Sequence, residues 1–270
     1  MQSTLEANPQ KSTGFNAKVK QLIREKRSLL VVGIDPRREQ LERDYPDVAL
    51  GVALRGFCLT LVDNTHTLAV GYKPNSAFFE QFGIDGMKTL IEVITHCHDV
   101  GVPVILDVKR GDIGSTAEAY ATAAYDVYGA DAVTVNPFMG SDSIKPFLRQ
   151  GKGVFVLCKT SNPGSNEVMC LDTIHGPVYR CVGTMVEGLR SLHPDMGLVV
   201  GATDPQVVGE IHLAYPNMLI LAPGVGAQGG SLAACMASCP DNLLLPMSRV
   251  LTTSPDAAKE AVELIRKQWA

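Results

Sequence analysis

The sequence predicts a single-domain α/β protein with the (β/α)8 TIM-barrel architecture. Eight short apolar segments have the character of strands, and helical stretches separate them at intervals of roughly thirty residues. Eight such units within 270 residues match the usual size of this barrel. Polar residues also collect at the predicted carboxyl ends of the strands, where barrels of this kind hold their functional sites. A doubly wound sheet is the alternative, because one sequence does not reveal the strand order.

The predicted strands are nearly continuous apolar runs, which is typical of parallel strands that are covered on both faces. They span residues 29–35, 69–74, 103–109, 131–138, 153–160, 196–203, 218–224 and 242–249. The polar residues at or just past their ends are Asp35, Lys73, Asp107, Lys109, Ser161 and Arg249. No linker interrupts the pattern. We therefore expect one domain over residues 15–270, preceded by a mobile polar segment over residues 1–14.

Two helix starts carry capping signals. Asp204 precedes Pro205, which is the pattern of an N-cap residue followed by proline at the first helical position. Ser115 and Glu118 have the spacing of a capping box, in which the two side chains satisfy backbone N–H groups reciprocally. We therefore expect one helix to begin just after Asp204 and another just after Ser115.

The third predicted strand carries an unusual cluster of charge. Strand side chains alternate between two faces, so Asp107 and Lys109 are expected on the same face, and Asp112 follows just past the strand end. Charged side chains are rarely buried without partners, so the cluster needs a physical reason. Taken alone, this spacing favours a solvated salt bridge over a catalytic group. The rest of the chain decides between the two.

Two long loops follow predicted strands. The loop over residues 161–176 is polar and contains glycine, as expected of either a lid or a disordered segment. The loop over residues 223–231 is dominated by glycine, which lets backbone N–H groups approach an anion closely. Phosphate sites in these barrels commonly use the loops after strands seven and eight, where Arg249 adds a guanidinium group. These features predict a phosphorylated substrate.

The second loop also contains the G-x-G-x-x-G spacing of dinucleotide-binding folds, at Gly224, Gly226 and Gly229. That fold needs a further helix and strand and an acidic residue about twenty residues on. At that distance this chain has Arg249 and nearly ends. We therefore favour the phosphate interpretation over a dinucleotide cofactor.

Composition limits the expected partners. The 24 Lys and Arg residues against 28 Asp and Glu residues give a formal net charge of -4, and no basic face indicates nucleic acid. No apolar run suggests a membrane span or a signal peptide, so we expect a cytoplasmic protein. Seven scattered cysteines indicate reduced thiols. The clusters over residues 96–98 and 235–239 lack paired Cys-x-x-Cys spacing, so we expect no zinc there.

The segment D-V-K-R-G-D-I over residues 107–113 resembles the signature of the orotidine 5′-phosphate decarboxylase family. The resemblance covers nearly everything after about residue 15, and its motifs occur in the family's order. They are Asp35, Lys73, T-S-N-P-G around Ser161, P-G-V-G-A-Q-G-G around Gln228, and Arg249. The residues after Lys109 are similar to the longer bacterial-type and some protozoal members. Other members carry a tyrosine in the phosphate loop, which has no equivalent in residues 223–231.

The resemblance implies a carbon–carbon lyase that converts orotidine 5′-monophosphate to uridine 5′-monophosphate and carbon dioxide. This is the last step of de novo UMP synthesis, and it needs neither a cofactor nor a metal. Lys109 would stabilise the carbanion at C6 of the pyrimidine and protonate it. Asp107 would lie near the departing carboxylate and hold Lys109. Lys73 would balance the charges and contact the ribose.

The resemblance also implies roles for residues that bind the substrate. Ser161 would bind the pyrimidine edge and Asp35 the ribose hydroxyls. The phosphate would lie against the loop after strand seven and against strand eight, at Pro223, Gln228, Gly229 and Arg249. Asp112, Ile113 and Thr116 would reach into the site of a neighbouring subunit, so the family resemblance implies a homodimer.

Three alternatives stay open beside this interpretation. Metal-dependent decarboxylases or aldolases of sugar phosphates share the barrel and the D-x-K-x-x-D spacing, but they carry an acidic residue where this chain has Lys73. A non-catalytic nucleotide-binding barrel is disfavoured because Lys109 and both acidic residues are intact. The chain is also compatible with one half of a bifunctional protein fused to orotate phosphoribosyltransferase.

Overall fold

A computed structural model describes residues 14–225, 229–239, 242–254 and 256–269. Its central element is a sheet of eight parallel strands. They are β1 (Leu30–Ile34), β2 (Gly71–Pro74), β3 (Ile105–Arg110), β4 (Ala132–Val135), β5 (Gly153–Lys159), β6 (Met196–Val200), β7 (Leu219–Leu221) and β8 (Leu243–Met247). Seven of them lie within the segments that the apolar runs predict, and β3 extends one residue beyond its segment, to Arg110. The predicted mobile segment, apart from its last residue Gly14, lies outside the described residues.

The strands follow one another around the sheet in chain order, and β1 pairs with β8. Parallel bridges join Tyr72 to Val104 and Asn75 to Asp107, so that the ends of β2 and β3 close the ring. A doubly wound sheet has two open edges and a reversal of strand order, and neither occurs among the described strands. The predicted (β/α)8 barrel is confirmed.

Helices surround the barrel and cover the outer face of its strands. They are α1 (Phe15–Lys26), α2 (Arg38–Asp44), α3 (Leu50–Thr65), α4 (Ser76–Glu80), α5 (Gly83–Asp99), α6 (Gly114–Thr122), α7 (Ser141–Ile144), α8 (Asn166–Met169), α9 (Val178–Arg190), α10 (Pro205–Ala214), α11 (Leu232–Ser238) and α12 (Ala257–Gln268). A five-residue π-helical turn (Ala123–Val127) continues α6. Within the described part of the chain, no helix combines the length and the apolar character that crossing a membrane requires.

Aromatic side chains fill the amino-terminal end of the barrel. Phe15 and Phe155 are almost fully buried and meet edge to face, with their ring centroids 5.9 Å apart. Glycines make room for them, because a Cβ atom added to Gly153 would lie 2.5 Å from the Phe15 ring and one added to Gly197 would lie 2.6 Å from the Phe155 ring. Side chains therefore fill the barrel interior at this end.

The two capping predictions have different outcomes. Asp204 accepts a hydrogen bond from the backbone N–H of Val207, and α10 begins at Pro205, as the sequence predicts. The capping box predicted at Ser115 and Glu118 is wrong. Helix α6 begins at Gly114, two residues before the expected start, and no side chain caps it. The chain turns into this helix at Gly114 with φ +52°, a backbone conformation that glycine adopts without strain.

Candidate active site

The predicted charge cluster forms an ion array at the carboxyl end of the barrel. The Lys73 ammonium donates to Oδ2 of Asp107 at 2.6 Å, and the Lys109 ammonium donates to Oδ1 of the same carboxylate at 2.5 Å. Lys73 and Asp107 are buried, whereas the side chain of Lys109 keeps 47% of its surface exposed. A single carboxylate thus holds two ammonium groups, one behind it and one open to solvent.

Lys109 reaches this position through an irregularity in β3. Residues 107–109 stand opposite Thr134 alone, because the pairing of β3 with β4 shifts its register there. Lys109 has φ +46°, in the left-handed region that residues other than glycine rarely adopt. The alternation rule places Asp107 and Lys109 on one face, and their ion pair confirms that they meet. The bulge and the left-handed residue are features that the rule does not contain.

The charges of the array stabilise one another. Burial disfavours the ionised form of Asp107, but the neighbouring Lys73 and Lys109 outweigh it and hold the pKa of that carboxyl well below its usual range. Burial likewise opposes the charged form of Lys73, but Asp107 and Asp35 prevail and raise the pKa of the ammonium. The site therefore holds one carboxylate and a charged Lys73 at neutral pH.

A cavity of about 370 Å³ opens above the array. Its walls come from the ends of several strands and from the loop after β5. They include Lys73, Asp107, Lys109, Thr134, Ser161, Asn162, Leu221 and Pro223. Five of the predicted site residues therefore share one cavity. Its mixture of apolar and charged walls suits a small ligand that carries a flat, polar group.

A second cavity of about 170 Å³ adjoins the first, and Lys73 and Pro223 line both. Asp35 and Arg249 belong to its wall, together with Gly224 and Val225. Oδ1 of Asp35 is buried, and no hydrogen-bond donor from the described residues reaches it. A buried carboxylate oxygen in a cavity wall is suited to accept from a hydroxyl group of a ligand. The pair of cavities fits a ligand with two separate polar ends.

A close approach of two chain segments fixes Ser161. A Cβ atom added to Gly201, just past β6, would lie 2.8 Å from the Cα of Ser161, so a larger residue would displace the start of the loop. The buried ammonium of Lys159 donates to Oγ of Ser165 at 2.6 Å and so ties the loop back to β5. The loop itself contains α8 and a two-stranded hairpin (Asp172–Thr173 and Gly176–Pro177).

A family model for the "Orotidine 5'-phosphate decarboxylase / HUMPS family" matches residues 28–239, which include the ion array and the loop after β5. The chain belongs to this family. It is 48% identical over 211 residues to the orotidine 5′-phosphate decarboxylase of Roseiflexus sp. (strain RS-1), covering 77% of this chain and 76% of that one. It is 41% identical over 225 residues to that of Herpetosiphon aurantiacus, covering 83% of each.

Two solved structures have the same fold and clear sequence similarity. The OMP decarboxylase of Leishmania donovani has a TM-score of 0.82 and 40% identity, with 93% of this chain and 98% of that one covered. The UMP synthase of the same organism has a TM-score of 0.86 and 41% identity over 95% of this chain. This chain covers only 56% of the UMP synthase, so that protein is much longer than the shared barrel.

Some residues that the family resemblance assigns to the site lie outside the two cavities. Asp112 accepts a hydrogen bond from the backbone N–H of Ile113, its own neighbour, at 2.8 Å, and Ile113 is 56% exposed. Thr116 is exposed on the first turn of α6. Gly229 is exposed and is absent from the walls of both cavities, and Gln228 lies outside the described residues. A single chain therefore brings together only part of the set that the family suggests.

The structure also adds residues that the motifs do not single out. Thr134 lines the larger cavity, and Gly201 packs against its loop. Threonine in an apolar strand signals only strand propensity, so its hydroxyl gives no warning of a functional contact. The two histidines of the 96–98 cluster contact different carboxylates, Asp63 and Asp131. Among the described residues, no group of three or more His, Cys, Asp or Glu side chains is placed to hold a metal ion.

Proposed function

We propose that the protein decarboxylates orotidine 5′-monophosphate to uridine 5′-monophosphate and carbon dioxide, with no cofactor. The family match and relatives named orotidine 5′-phosphate decarboxylase support this proposal. The observation that carries it is the Lys73–Asp107–Lys109 array at the floor of a cavity. This reaction requires a fixed positive charge and a proton donor at one carbon, and Lys109 provides both in an open position.

Lys109 is the proposed proton donor. When the bond between C6 and the carboxylate breaks, carbon dioxide leaves and the electron pair stays on C6. An ammonium group held beside that carbon stabilises the developing negative charge, and it then transfers a proton to C6. The neutral amine regains a proton from solvent, to which its side chain is half exposed. The step therefore balances without an oxidant, a reductant or a metal.

Asp107 and Lys73 keep that ammonium in place. Asp107 anchors Lys109 through Oδ1 and uses Oδ2 to bind Lys73. Because both acceptor oxygens are engaged, the carboxylate has little freedom to rotate, and the Lys109 ammonium has a defined position before the substrate arrives. A charge that is already in position lowers the activation barrier effectively, because the site does not have to reorganise during the reaction.

The two adjoining cavities support binding of a nucleotide. The pyrimidine would occupy the larger one beside Ser161, and the ribose hydroxyls would donate to Asp35. The phosphate would lie towards Pro223 and Arg249, which line the smaller cavity. The Arg249 guanidinium group and the loop backbone would bind it there. Gly229 and Gln228 would complete the phosphate contacts, and the loop over residues 161–176 would close over the base as a lid.

The rival with the same barrel and the same D-x-K-x-x-D spacing is a metal-dependent enzyme that acts on sugar phosphates. A divalent cation needs free carboxylate oxygens, whereas both oxygens of Asp107 accept from ammonium groups. Lys73 also places a positive charge where such an enzyme would need an acidic ligand. The donor set therefore favours the decarboxylase over the rival. A purely nucleotide-binding barrel would not need the array at all.

The test of this function is direct. Purified protein is mixed with orotidine 5′-monophosphate, and the loss of its ultraviolet absorbance is followed. We expect rapid turnover that a chelator leaves unchanged, and a decrease in kcat of about 10³-fold or more in Lys109→Ala. Lys88→Ala, which changes a lysine that is 71% exposed on α5, is the matched control. An inactive wild type, or unchanged turnover in Lys109→Ala, would contradict the proposal, and loss of activity with a chelator would favour the metal-dependent rival.

We further propose that the enzyme is a homodimer in which Asp112, Ile113 and Thr116 complete the site of the neighbouring subunit. The exposure of Ile113 supports this proposal, because a large apolar side chain beside an active site is suited to an interface. Asp112 follows the strand that carries Lys109, yet the larger cavity of its own chain does not include it. A two-fold dimer would let both chains exchange these residues equally.

Mixed dimers test this exchange. Lys109→Ala and Asp112→Ala are each expected to be nearly inactive alone. If the two residues of one site come from different chains, half of a random mixture is mixed dimer and each mixed dimer has one intact site. The mixture should then regain about a quarter of the wild-type activity. No recovery after subunit exchange, verified by tagging the two variants differently, would place both residues in one chain.

The long UMP synthase relative supports one more proposal. This barrel matches 56% of the Leishmania donovani protein, so the fold is compatible with attachment to a second domain. The family resemblance suggests orotate phosphoribosyltransferase as that domain. The test is to isolate the protein from its native source, measure its size, and assay it for decarboxylase and orotate phosphoribosyltransferase activity. A barrel-sized protein with decarboxylase activity alone would contradict the proposal.

A further inference from the structure

We propose that Thr134 is a positioning residue of this site. Its hydroxyl group fixes the Asp107 carboxylate and also holds the strand bulge that directs Lys109 into the cavity. The inference rests on the proposed function, because it assigns to Thr134 the task of preparing Lys109 for proton transfer. Thr134 lies on β4, is 1% exposed, and lines the larger cavity.

The hydroxyl makes two contacts with defined directions. It donates to Oδ1 of Asp107 at 2.9 Å, and it accepts the backbone N–H of Lys109 at 3.0 Å. A hydroxyl group has one hydrogen, and an ionised carboxylate and a backbone N–H have only one role each. The arrangement is therefore fixed: the proton of Thr134 goes to Asp107, and a lone pair of its oxygen receives the amide of Lys109.

The second contact replaces a lost ladder bond. Three residues of β3, numbers 107–109, face Thr134 alone across the register shift between β3 and β4. A bulge of this kind leaves backbone groups without a partner on the neighbouring strand. The threonine side chain supplies the missing acceptor for Lys109. The left-handed backbone of Lys109 is costly, so such a contact is needed to keep it in this conformation.

Together the contacts close a ring of three residues. Thr134 holds the backbone of Lys109, Thr134 also holds Asp107, and Asp107 holds the ammonium of Lys109. One hydroxyl group on a buried strand therefore positions both ends of Lys109, the backbone directly and the ammonium through Asp107. Removal of that hydroxyl frees the backbone amide and one side of the carboxylate at once, and the ammonium loses its defined position relative to the reacting carbon.

Thr134→Val tests the inference, since valine keeps the branched shape of threonine and replaces its hydroxyl with a methyl group. We expect kcat to decrease by about 10- to 100-fold, because a small displacement of a reacting group has effects of this size. The KM for orotidine 5′-monophosphate and the Kd of the product UMP should stay within about threefold of the wild-type values, since Thr134 touches neither Asp35 nor Arg249. Thr134→Ser keeps the hydroxyl and should retain kcat within about threefold.

Thr65→Val is the matched control. Thr65 is also buried, and its hydroxyl contacts the Leu61 carbonyl oxygen and the Tyr72 hydroxyl, away from both cavities. This variant should lose thermal stability and keep kcat. If Thr134→Val does not fold, Thr134→Ala removes the same hydroxyl with less crowding and serves in its place.

The possible results distinguish failure of the Thr134 inference from failure of the proposed decarboxylase function. A wild-type protein without turnover contradicts the proposed function and the inference together. With an active wild type, unchanged kcat in Thr134→Val contradicts the inference alone. So does an equal loss in Thr134→Ser, because the methyl group rather than the hydroxyl would then be responsible. A proportional weakening of UMP binding would show a general distortion of the site and would also overturn it.

Discussion

Two aspartates at opposite ends of the barrel show how one residue type serves different purposes. Asp107 lies near the carboxyl end of β3 and binds the ammonium groups of Lys73 and Lys109. Asp131 lies just before β4, at the amino-terminal end of the barrel. Its Oδ2 accepts from the backbone N–H of Val104 and contacts the imidazole of His98 at the end of α5, both at 2.8 Å.

The partners account for the difference. The contacts of Asp131 join α5, β3 and β4 where the barrel interior is already filled with side chains. They leave no charge pointing into either of the two cavities at the mouth. The contacts of Asp107 gather two positive charges on one carboxylate and leave one of them half exposed above a cavity. Burying charge for packing alone is a poor source of stability, so the second arrangement indicates chemistry and the first indicates structure.

Asp107→Asn should have the largest effect in this comparison. The amide keeps the volume of the carboxylate but removes the negative charge between Lys73 and Lys109, so Lys109 moves away from its position. We expect kcat to decrease by about 10²- to 10³-fold, measured in the ultraviolet assay. A decrease of less than about tenfold in a folded variant would show that the array is structural after all.

Asp131→Asn makes the same chemical change at the other end of the barrel. The amide oxygen can still accept both hydrogen bonds, but the charge that strengthens them is lost. We expect the free energy of unfolding to fall by about 1 kcal/mol in urea titrations at neutral pH. The kcat value should remain within about twofold of wild type, since no contact of Asp131 reaches the cavities. A large loss of kcat in a fully folded Asp131→Asn variant would contradict the assignment of a structural role to Asp131.

The sequence contains enough information for the barrel and the ion pair, since both follow from short-range patterns. Apolar runs locate all eight strands, and alternation brings Asp107 and Lys109 together. What the sequence lacks is information about neighbours across the sheet. The bulge at Lys109 depends on Thr134 of β4, and Ser161 depends on the close approach of Gly201.

Local patterns also give wrong answers where the fold competes with them. The box at Ser115 and Glu118 is unused because the turn at Gly114 starts α6 two residues earlier than the box predicts. Asp131 and His98 are 33 positions apart, and only the tertiary structure brings the end of α5 to the start of β4 so that they pair. Residues such as these acquire their roles through tertiary contacts, so single-sequence reasoning finds the centre of the site before it finds what supports it.

The pH dependence of stability provides the finest test of the contrast. Burial opposes ionisation of Asp131, but His98 and the Val104 amide lower the pKa of its carboxyl below the usual value, and the pKa of Asp107 is lowered further. A carboxyl with a depressed folded pKa stabilises the protein above its unfolded pKa of about 3.9. That contribution is lost as the pH falls through the folded pKa. In urea titrations, the gap between wild type and Asp131→Asn should therefore stay constant above the unfolded pKa of about 3.9 and narrow as the pH falls below it. The gap between wild type and Asp107→Asn should persist to lower pH, because two ammonium groups keep Asp107 ionised. If both gaps closed over the same pH range, the stronger lowering of the Asp107 pKa by Lys73 and Lys109 would be refuted.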